Sequence, residues 1–256
     1  MPGPAAAKDH PLQIIDDPDC PLGEEFDLVL DVEDPTEVHP RHLHAVISAW
    51  FDSGERHRSS HKAYAIGPLW QRPDGRSGLS LRVLGDPDFE PPGESVRLGR
   101  VPARFDLAAS SLVNTITRRT LEELPPARSV LVRFESPMTR RQKDTYHPSP
   151  NERSILGSWE RAAELIGLAG QVDWRSVDAR IIHLNGHTAT WSTPKARGRT
   201  RTPVGFVGEV GIAAPDGYGQ RLHQLAVLAG FAGTGSHTTF GMGFTTLMAV
   251  DEAARR

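Results

Sequence analysis

The alternation of hydrophobic and polar residues near the start of the chain predicts a strand, a helix and two further strands. Apolar residues occupy every second position from Phe26 to Val32, which is the period of a half-buried strand. After Pro40, apolar residues recur at helical spacing and form one stripe: Leu43, Val46, Ile47, Trp50 and Phe51. Two extended segments, residues 62–70 and 78–85, follow on either side of a turn-rich stretch. The chain therefore begins in the order β-α-β-β.

The second half repeats this alternation of strands and helices. An apolar strand over residues 128–138 precedes a helix marked by Ser149 as N-cap, Pro150 at the first helical position and Glu152 three residues after the cap. Further strands are predicted at residues 178–192, 204–214 and 244–250, and short helices at residues 114–127 and 218–229. The pattern predicts an α+β fold of two sandwiches in tandem, each an antiparallel sheet with helices on one face.

The formal net charge of -3 hides a difference between the two halves of the chain. Residues 1–128 contain 14 Lys and Arg against 21 Asp and Glu, whereas residues 129–256 contain 15 against 11. The basic residues of the second half cluster at 138–143 and 194–201, where several cations could hold an anionic polymer at once. Solvated loops are the alternative interpretation of these two runs.

Cysteine content and hydropathy limit the class of protein. The single cysteine, Cys20, excludes an internal disulfide and a cysteine-rich zinc site. The N-terminus has no signal-peptide pattern, and no apolar run approaches the length of a membrane span. We therefore expect a cytoplasmic protein with no membrane contact.

A glycine-rich stretch near the C-terminus, residues 230–244, is called the glycine loop below. It lacks the Gly-Lys pair of a Walker loop, and it follows a predicted helix rather than a strand, which argues against a dinucleotide fingerprint. This order indicates a loop that braces an extended ligand or a neighbouring helix through close backbone approach. A simple tight return from helix to strand stays open as the alternative.

Five stretches of the sequence together resemble one known family. The pairs Gly233-x-Gly235 and Gly241-x-Gly243 are similar to the glycine-rich motif of the CRISPR-associated pre-crRNA-processing endoribonucleases of the RAMP superfamily. The other four stretches occur in the family's order: HKAYAIGPL, VRFESPMTRR, HPSPNERSILGSW and GFVGEVGI. The resemblance extends from about Phe26 onward. Three positions depart from the family's motifs, namely Tyr64, Gly67 and Met138.

The resemblance implies a fold and a reaction. It implies two tandem ferredoxin-like (RRM-like) domains, which we place at residues 1–128 and 129–256. It also implies cleavage of CRISPR repeat RNA in precursor transcripts without a metal or other cofactor, by attack of a 2′-hydroxyl that leaves a 2′,3′-cyclic phosphate and a 5′-hydroxyl. Such a reaction needs in-line alignment, two proton transfers and neutralisation of the developing charge. Histidine suits the proton transfers because its unperturbed pKa, about 6.5, lies near neutrality.

The family's catalytic histidine lies shortly before the strand that HKAYAIGPL resembles. By this resemblance we expect His57 to act as general acid or base, with His61 as the reserve candidate. Lys62 or Arg58 is expected as an electrostatic partner.

RNA binding is expected in the second half of the chain. The two basic runs would hold the phosphates of an A-form stem, whose major groove side chains read poorly. The expected RNA-binding residues are Arg140, Arg141, Lys143, Lys195, Arg197, Arg199, Arg201, Gly233, Gly235, Ser236, His237, Gly241 and Gly243.

Two other functions share parts of this pattern. A non-catalytic RAMP-type subunit that binds crRNA in a CRISPR effector complex would have the same fold and glycine loop, and the histidines after the first helix favour the enzyme. An RRM-like protein for single-stranded RNA would show more exposed aromatic residues than Phe206 in GFVGEVGI. The expected partners are pre-crRNA and, left open, other effector-complex subunits and a second copy of the chain.

Overall fold

The first sheet is formed by the N-terminal half of the protein. The computed structural model describes residues 17–51, 64–85, 95–142, 145–168, 170–191 and 203–252. Within them, five strands form this antiparallel sheet: β1 (Pro21–Val32), β2 (Tyr64–Gln71), β3 (Ser77–Leu84), β4 (Ser95–Leu98) and β5 (Val101–Thr117). Their order is β2-β3-β1-β5-β4. The first four strands in this order, β2, β3, β1 and β5, have the arrangement of a ferredoxin-like sheet. Strand β4 pairs with β5 as a hairpin at the edge of the sheet.

Helix α1 (Pro40–Phe51) connects β1 to β2 and covers one face of this sheet. Its apolar stripe points inward, because Leu43 and Ile47 are buried against Leu28 and Leu81 in one hydrophobic cluster. The predicted stripe is thus confirmed.

The predicted helix at residues 114–127 is much shorter in the structure. Helix α2 covers only Arg118–Glu122, and the residues before it extend β5, where Asn114 pairs with Glu25 of β1. Thr117 then caps the helix by accepting a hydrogen bond from the amide of Thr120 at 3.1 Å. Pairing with β1 has therefore overridden the local helical signal.

The C-terminal half forms a second antiparallel sheet and a small hairpin. Its strands are β6 (Ala127–Met138), β9 (Arg180–Thr190), β10 (Val204–Ala213) and β11 (Thr245–Glu252), and the hairpin consists of β7 (Arg140–Gln142) and β8 (Thr145–His147). The sheet order is β11-β6-β10-β9. Together with α3 (Glu152–Leu165) and α4 (Gly219–Ala232), this is again the ferredoxin-like arrangement. The prediction of an α+β fold with two tandem ferredoxin-like units is confirmed.

Helix α3 begins two residues later than the capping box predicted. Asn151, not Ser149, is the N-cap, and its carboxamide oxygen accepts hydrogen bonds from the amide and the hydroxyl of Ser154. An asparagine side chain caps a helix as well as a serine does. The helix buries Ile155 and Trp159 completely.

A buried ion pair joins α3 to α4. The Glu160 carboxylate accepts from the Arg221 guanidinium, and its Oε1 also accepts from the Trp174 indole N–H at 2.9 Å. Both charged residues are buried. Removing either partner would leave an uncompensated charge in the core, which is strongly destabilising.

Arg82 of β3 connects the first sheet to the second half of the chain. Its Nε–H donates to Glu25 at 2.8 Å, and one terminal nitrogen donates to the carbonyls of Gly230 (2.7 Å) and Thr245 (2.5 Å). Its guanidinium also lies 4.0 Å from the ring centroid of Phe244. Arg82 therefore fastens the first unit to both ends of the glycine loop.

In the part of the chain that the structure describes, no helix has the length and apolar character needed to cross a membrane.

Candidate functional site

The glycine loop connects α4 to β11 through four glycines with left-handed backbone angles. Their φ values are 72° at Gly233, 90° at Gly235, 78° at Gly241 and 61° at Gly243. Space is restricted as well: a Cβ at Gly235 would overlap the Thr139 carbonyl oxygen. Only glycine satisfies both the angle and the close approach at this position.

Most of the loop's backbone amides bind the protein itself. The amides of residues 234, 235, 236, 243 and 244 donate, in that order, to Gly243 O, Ser158 Oγ, Thr139 O, Pro137 O and Ser136 Oγ, at 2.8 to 3.0 Å. These acceptors belong to the loop, to α3, and to the end of β6 and the residue after it. The loop therefore braces a neighbouring helix and strand. Bracing of a neighbouring helix was one of the two roles predicted from its position after a helix; the other was bracing of an extended ligand.

Hydroxyl groups of the loop form a buried chain with Trp159. The indole N–H of Trp159 donates to Thr234 Oγ1 at 2.8 Å, and Thr234 Oγ1 lies 2.8 Å from Thr245 Oγ1. Both threonines are fully buried. Gly233, Gly241 and Gly243 are buried too, whereas Gly235, Ser236 and His237 are partly exposed. The roles of all six in RNA binding stay predictions.

His237 is the most unusual residue of the loop. Among the described residues it is the one non-glycine with a positive φ, 64°. Its Nε2 lies 2.8 Å from the hydroxyl of Tyr146 on β8, and the two ring centroids are 5.4 Å apart. Burial, followed by the charge of Arg141, lowers the pKa of His237 below 6.5. The imidazole is therefore neutral near pH 7. Tyr146 could not be singled out from the sequence, because an isolated tyrosine belongs to no pattern.

The β7–β8 hairpin places two of the predicted RNA-binding arginines beside the loop. Arg141 is exposed, and Arg140 is half-buried with its Nε lacking a hydrogen-bond partner in the described structure. At the base of the hairpin, Thr139 accepts from the amide of Ser236 through its carbonyl. The Thr139 hydroxyl donates to the His147 carbonyl at 3.3 Å. The first basic run therefore lies against the glycine loop.

The other face of the glycine loop contacts the N-terminal unit. His44 of α1 donates from Nδ1 to the carbonyl of Thr239 at 2.9 Å. The ring of Phe51, the last residue of α1, stacks on Tyr64, the first residue of β2, with centroids 4.6 Å apart. The Tyr64 hydroxyl lies 3.5 Å from His44 Nδ1. The end of α1 and the start of β2 thus meet beside the loop.

In the sequence, the predicted catalytic residues lie between Phe51, at the end of α1, and Tyr64, at the start of β2. His57, His61 and Lys62 lie at positions 52–63, outside the described residues, so their roles stay predictions. The same holds for Lys143 and for the second basic run, Lys195, Arg197, Arg199 and Arg201. Within the described ranges, no group of three or more His, Cys, Asp or Glu residues is placed to hold a metal ion.

Part of the chain matches a known protein family. Residues 132–245, which run from β6 through the glycine loop, match the family model of the CRISPR-associated endoribonuclease Cas6. No curated protein sequence matches the chain.

Solved Cas6 structures share the fold. A Thermus Cas6 product complex has 23% identity and a TM-score of 0.72, covering 89% of this chain and 99% of that one. The product complex of a second Cas6, from Thermus thermophilus, has 20% identity and a TM-score of 0.71, with coverage of 89% and 99%. A partial Cas6-RT-Cas1–Cas2 complex matches at 14% identity and a TM-score of 0.53, covering 92% of this chain and 48% of that one. The resemblance found in the sequence is confirmed over residues 132–245, which match the Cas6 family model, and the chain as a whole shares the fold of solved Cas6 structures.

Proposed function

We propose that this protein is an endoribonuclease that cleaves CRISPR repeat RNA in precursor transcripts and so releases guide RNAs. The observation that carries the proposal is the match of residues 132–245 to the Cas6 endoribonuclease family. That segment contains β6, the β7–β8 hairpin, α3 and the glycine loop, which contact one another in the structure. Complexes named for a product and a substrate mimic occur among the proteins of similar fold.

We further propose a metal-independent reaction in which His57 is the general acid or base. The 2′-hydroxyl would attack the adjacent phosphate, leaving a 2′,3′-cyclic phosphate and a 5′-hydroxyl. His61 is the second candidate, and Lys62 would neutralise charge on the phosphorane. The stacked pair Phe51 and Tyr64 supports this assignment, because it anchors both ends of the segment that carries these residues beside the glycine loop.

Binding of the RNA is assigned to the basic residues of the second half. Arg140 and Arg141 extend from the hairpin that lies on the glycine loop. Phosphate contacts of this kind give affinity that falls steeply with salt. Lys143 and the run from Lys195 to Arg201 would add further cations along the same strand of RNA.

The domain boundary and the partners belong to the same proposal. We place the boundary at residues 128 and 129, close to the start of β6 at Ala127 and after the first sheet, which ends at Thr117. A relative of similar fold is part of a Cas6-RT-Cas1–Cas2 complex, which supports association with other CRISPR proteins. A homodimer can be tested by the mass of the purified protein in solution.

Cleavage of a repeat transcript in EDTA tests the reaction. The transcript is taken from the CRISPR array beside the gene and labelled at its 5′ end. We expect the wild-type protein to cut once per repeat and to leave a cyclic phosphate. His57→Ala should slow the cut by about 10²- to 10⁴-fold, the range of general acid-base catalysis, and leave the affinity for the repeat nearly unchanged. His187→Ala, at an exposed position on β9, is the matched control and should cut like wild type.

Each other outcome has a defined meaning. If His57→Ala cuts normally and His61→Ala does not, the catalytic role belongs to His61. If cleavage requires a divalent metal, the metal-independent mechanism is wrong. If the wild-type protein binds several candidate repeats tightly and cuts none, the protein is a non-catalytic crRNA-binding subunit.

A further inference from the structure

Tyr146 and His237 form a contact between two elements that are 91 residues apart in the sequence. Tyr146 lies on β8 of the hairpin, and His237 lies in the glycine loop. A hydrogen bond of 2.8 Å joins the phenol oxygen to Nε2. Since burial keeps His237 neutral near pH 7, its Nε2 can accept a hydrogen bond from the Tyr146 hydroxyl.

The backbone of the loop is held in an uncommon conformation to make this contact. A φ of 64° is disfavoured for a residue with a Cβ, and such strain persists only where the surroundings fix it. The neighbouring residues supply that support, because the amides of Gly235 and Ser236 are bound to Ser158 and Thr139. The His237 ring is therefore presented to the hairpin from a rigid base.

The hairpin, in contrast, is small. Each of its strands has three residues, and an isolated two-stranded hairpin is marginally stable in water. Tyr146 is partly exposed, so its ring is not enclosed in the core. The hydrogen bond between Tyr146 and the firmly held His237 is therefore an important constraint on the direction of the hairpin.

The hairpin carries cations whose direction matters for an anionic ligand. Arg141 is exposed and close enough for its charge to lower the pKa of His237. Arg140 Nε is buried and has no hydrogen-bond partner in the described structure, which is a costly state for a donor. A phosphate oxygen is an acceptor that suits both guanidinium groups.

We propose that the hydrogen bond between Tyr146 and His237 is a latch that positions the β7–β8 hairpin, so that Arg140 and Arg141 meet phosphates of the repeat RNA. Tyr146 and His237 are positioning residues in this scheme, and the arginines bind. The inference rests on the proposed function, since it assumes that the protein binds repeat RNA. It goes further in naming the contact that sets the geometry of the basic hairpin.

Tyr146→Phe tests the latch with the loss of one oxygen atom. The dissociation constant for the repeat transcript should rise about three- to ten-fold, as expected for one hydrogen bond. The dependence of log K on log salt should become shallower by about 0.7 to 0.9 for each phosphate that the variant no longer binds. In cleavage, KM should rise while kcat stays near the wild-type value. Tyr218→Phe, at the start of α4 where the ring lies 5.9 Å from Trp174, is the matched control and should change none of these.

His237→Asn provides the reciprocal variant. Asparagine tolerates the left-handed backbone, so the loop should fold, but its shorter side chain does not reach Tyr146. The double variant with Tyr146→Phe should bind no more weakly than either single variant, because both remove the same bond. Hydrogen exchange of the amides at 139–142 should be faster in each variant without RNA, while amides of α3 stay protected.

The outcomes separate this inference from the proposed function. If Tyr146→Phe leaves the dissociation constant and the salt slope unchanged while the wild type binds and cuts, the latch is wrong and the function stands. Additive effects in the double variant would also overturn the latch. If the wild type binds no repeat RNA, both proposals are wrong.

Discussion

Replacing Arg82 by methionine should weaken the attachment of the first sheet to the glycine loop. Methionine keeps an unbranched stem of similar length but removes every N–H donor of the guanidinium. Three acceptors then lose their donor: the Glu25 carboxylate and the carbonyls of Gly230 and Thr245. The interaction with the Phe244 ring loses its charge as well.

The size of the effect follows from the burial of the pair. The Arg82 and Glu25 side chains are 10% and 17% exposed, so this ion pair is largely buried. Breaking a buried pair by removing one partner costs about 3–5 kcal/mol, because the other charge stays behind. For a protein of this size each kcal/mol lowers Tm by about 2–4 °C, which gives a fall of roughly 6–20 °C.

Urea unfolding followed by circular dichroism measures this free energy directly. Arg180→Met is the matched control, since Arg180 and Asp178 form an ion pair with side chains 71% and 69% exposed. That control should cost far less, because an ion pair between exposed side chains contributes little to stability. Adding Glu25→Gln to Arg82→Met should recover part of the loss. If Arg82→Met lowers the free energy of unfolding no more than Arg180→Met does, Arg82 does not stabilise the protein through these contacts.

Two further predictions concern the glycines and the histidine of the site. Gly235→Ala should destabilise the protein by more than about 1 kcal/mol, because φ at this position is 90° and the new Cβ would overlap the Thr139 carbonyl. Gly157→Ala, inside α3 where the new Cβ has open space, is the control and should stabilise the protein by about 0.5–1 kcal/mol. Equal effects of the two substitutions on thermal unfolding would contradict this prediction. The folded-state pKa of His237 lies below its unfolded value of 6.5, so the unfolded chain binds the proton more readily. The free energy of unfolding should therefore fall as the pH drops from about 7.5 to about 5.5, and less steeply in His237→Asn. Identical slopes in urea unfolding of the two proteins would show that His237 does not contribute.

The regular elements could be predicted because their signals are local. The stripe that begins at Leu43 and the strand alternation that begins at Phe26 each lie within one element and reappear as α1 and β1. One error occurred where a contact between elements decides: Asn114 belongs to β5 because β1 offers a pairing partner. The other error was local, since Asn151 rather than Ser149 caps α3.

The candidate site was only partly predictable from the sequence. The glycines were recognised through their spacing, but which groups their neighbouring amides bind depends on acceptors such as Ser158, far away in the chain. Tyr146 and Arg82 gave no sequence signal, because each acts through a partner brought near by the fold. His57 and His61 were proposed from a resemblance, and the described residues place only the ends of their segment.

Most amides of the glycine loop bind the protein itself, so they are not available to a ligand. The hydrogen bonds of the glycine motif hold α3 and β6 together, so they serve the fold of the molecule and not the binding of a particular RNA. The glycine spacing by itself therefore does not define a ligand. If the proposed function holds, affinity for RNA should depend on exposed groups such as Arg141, where a substitution leaves these amide contacts intact.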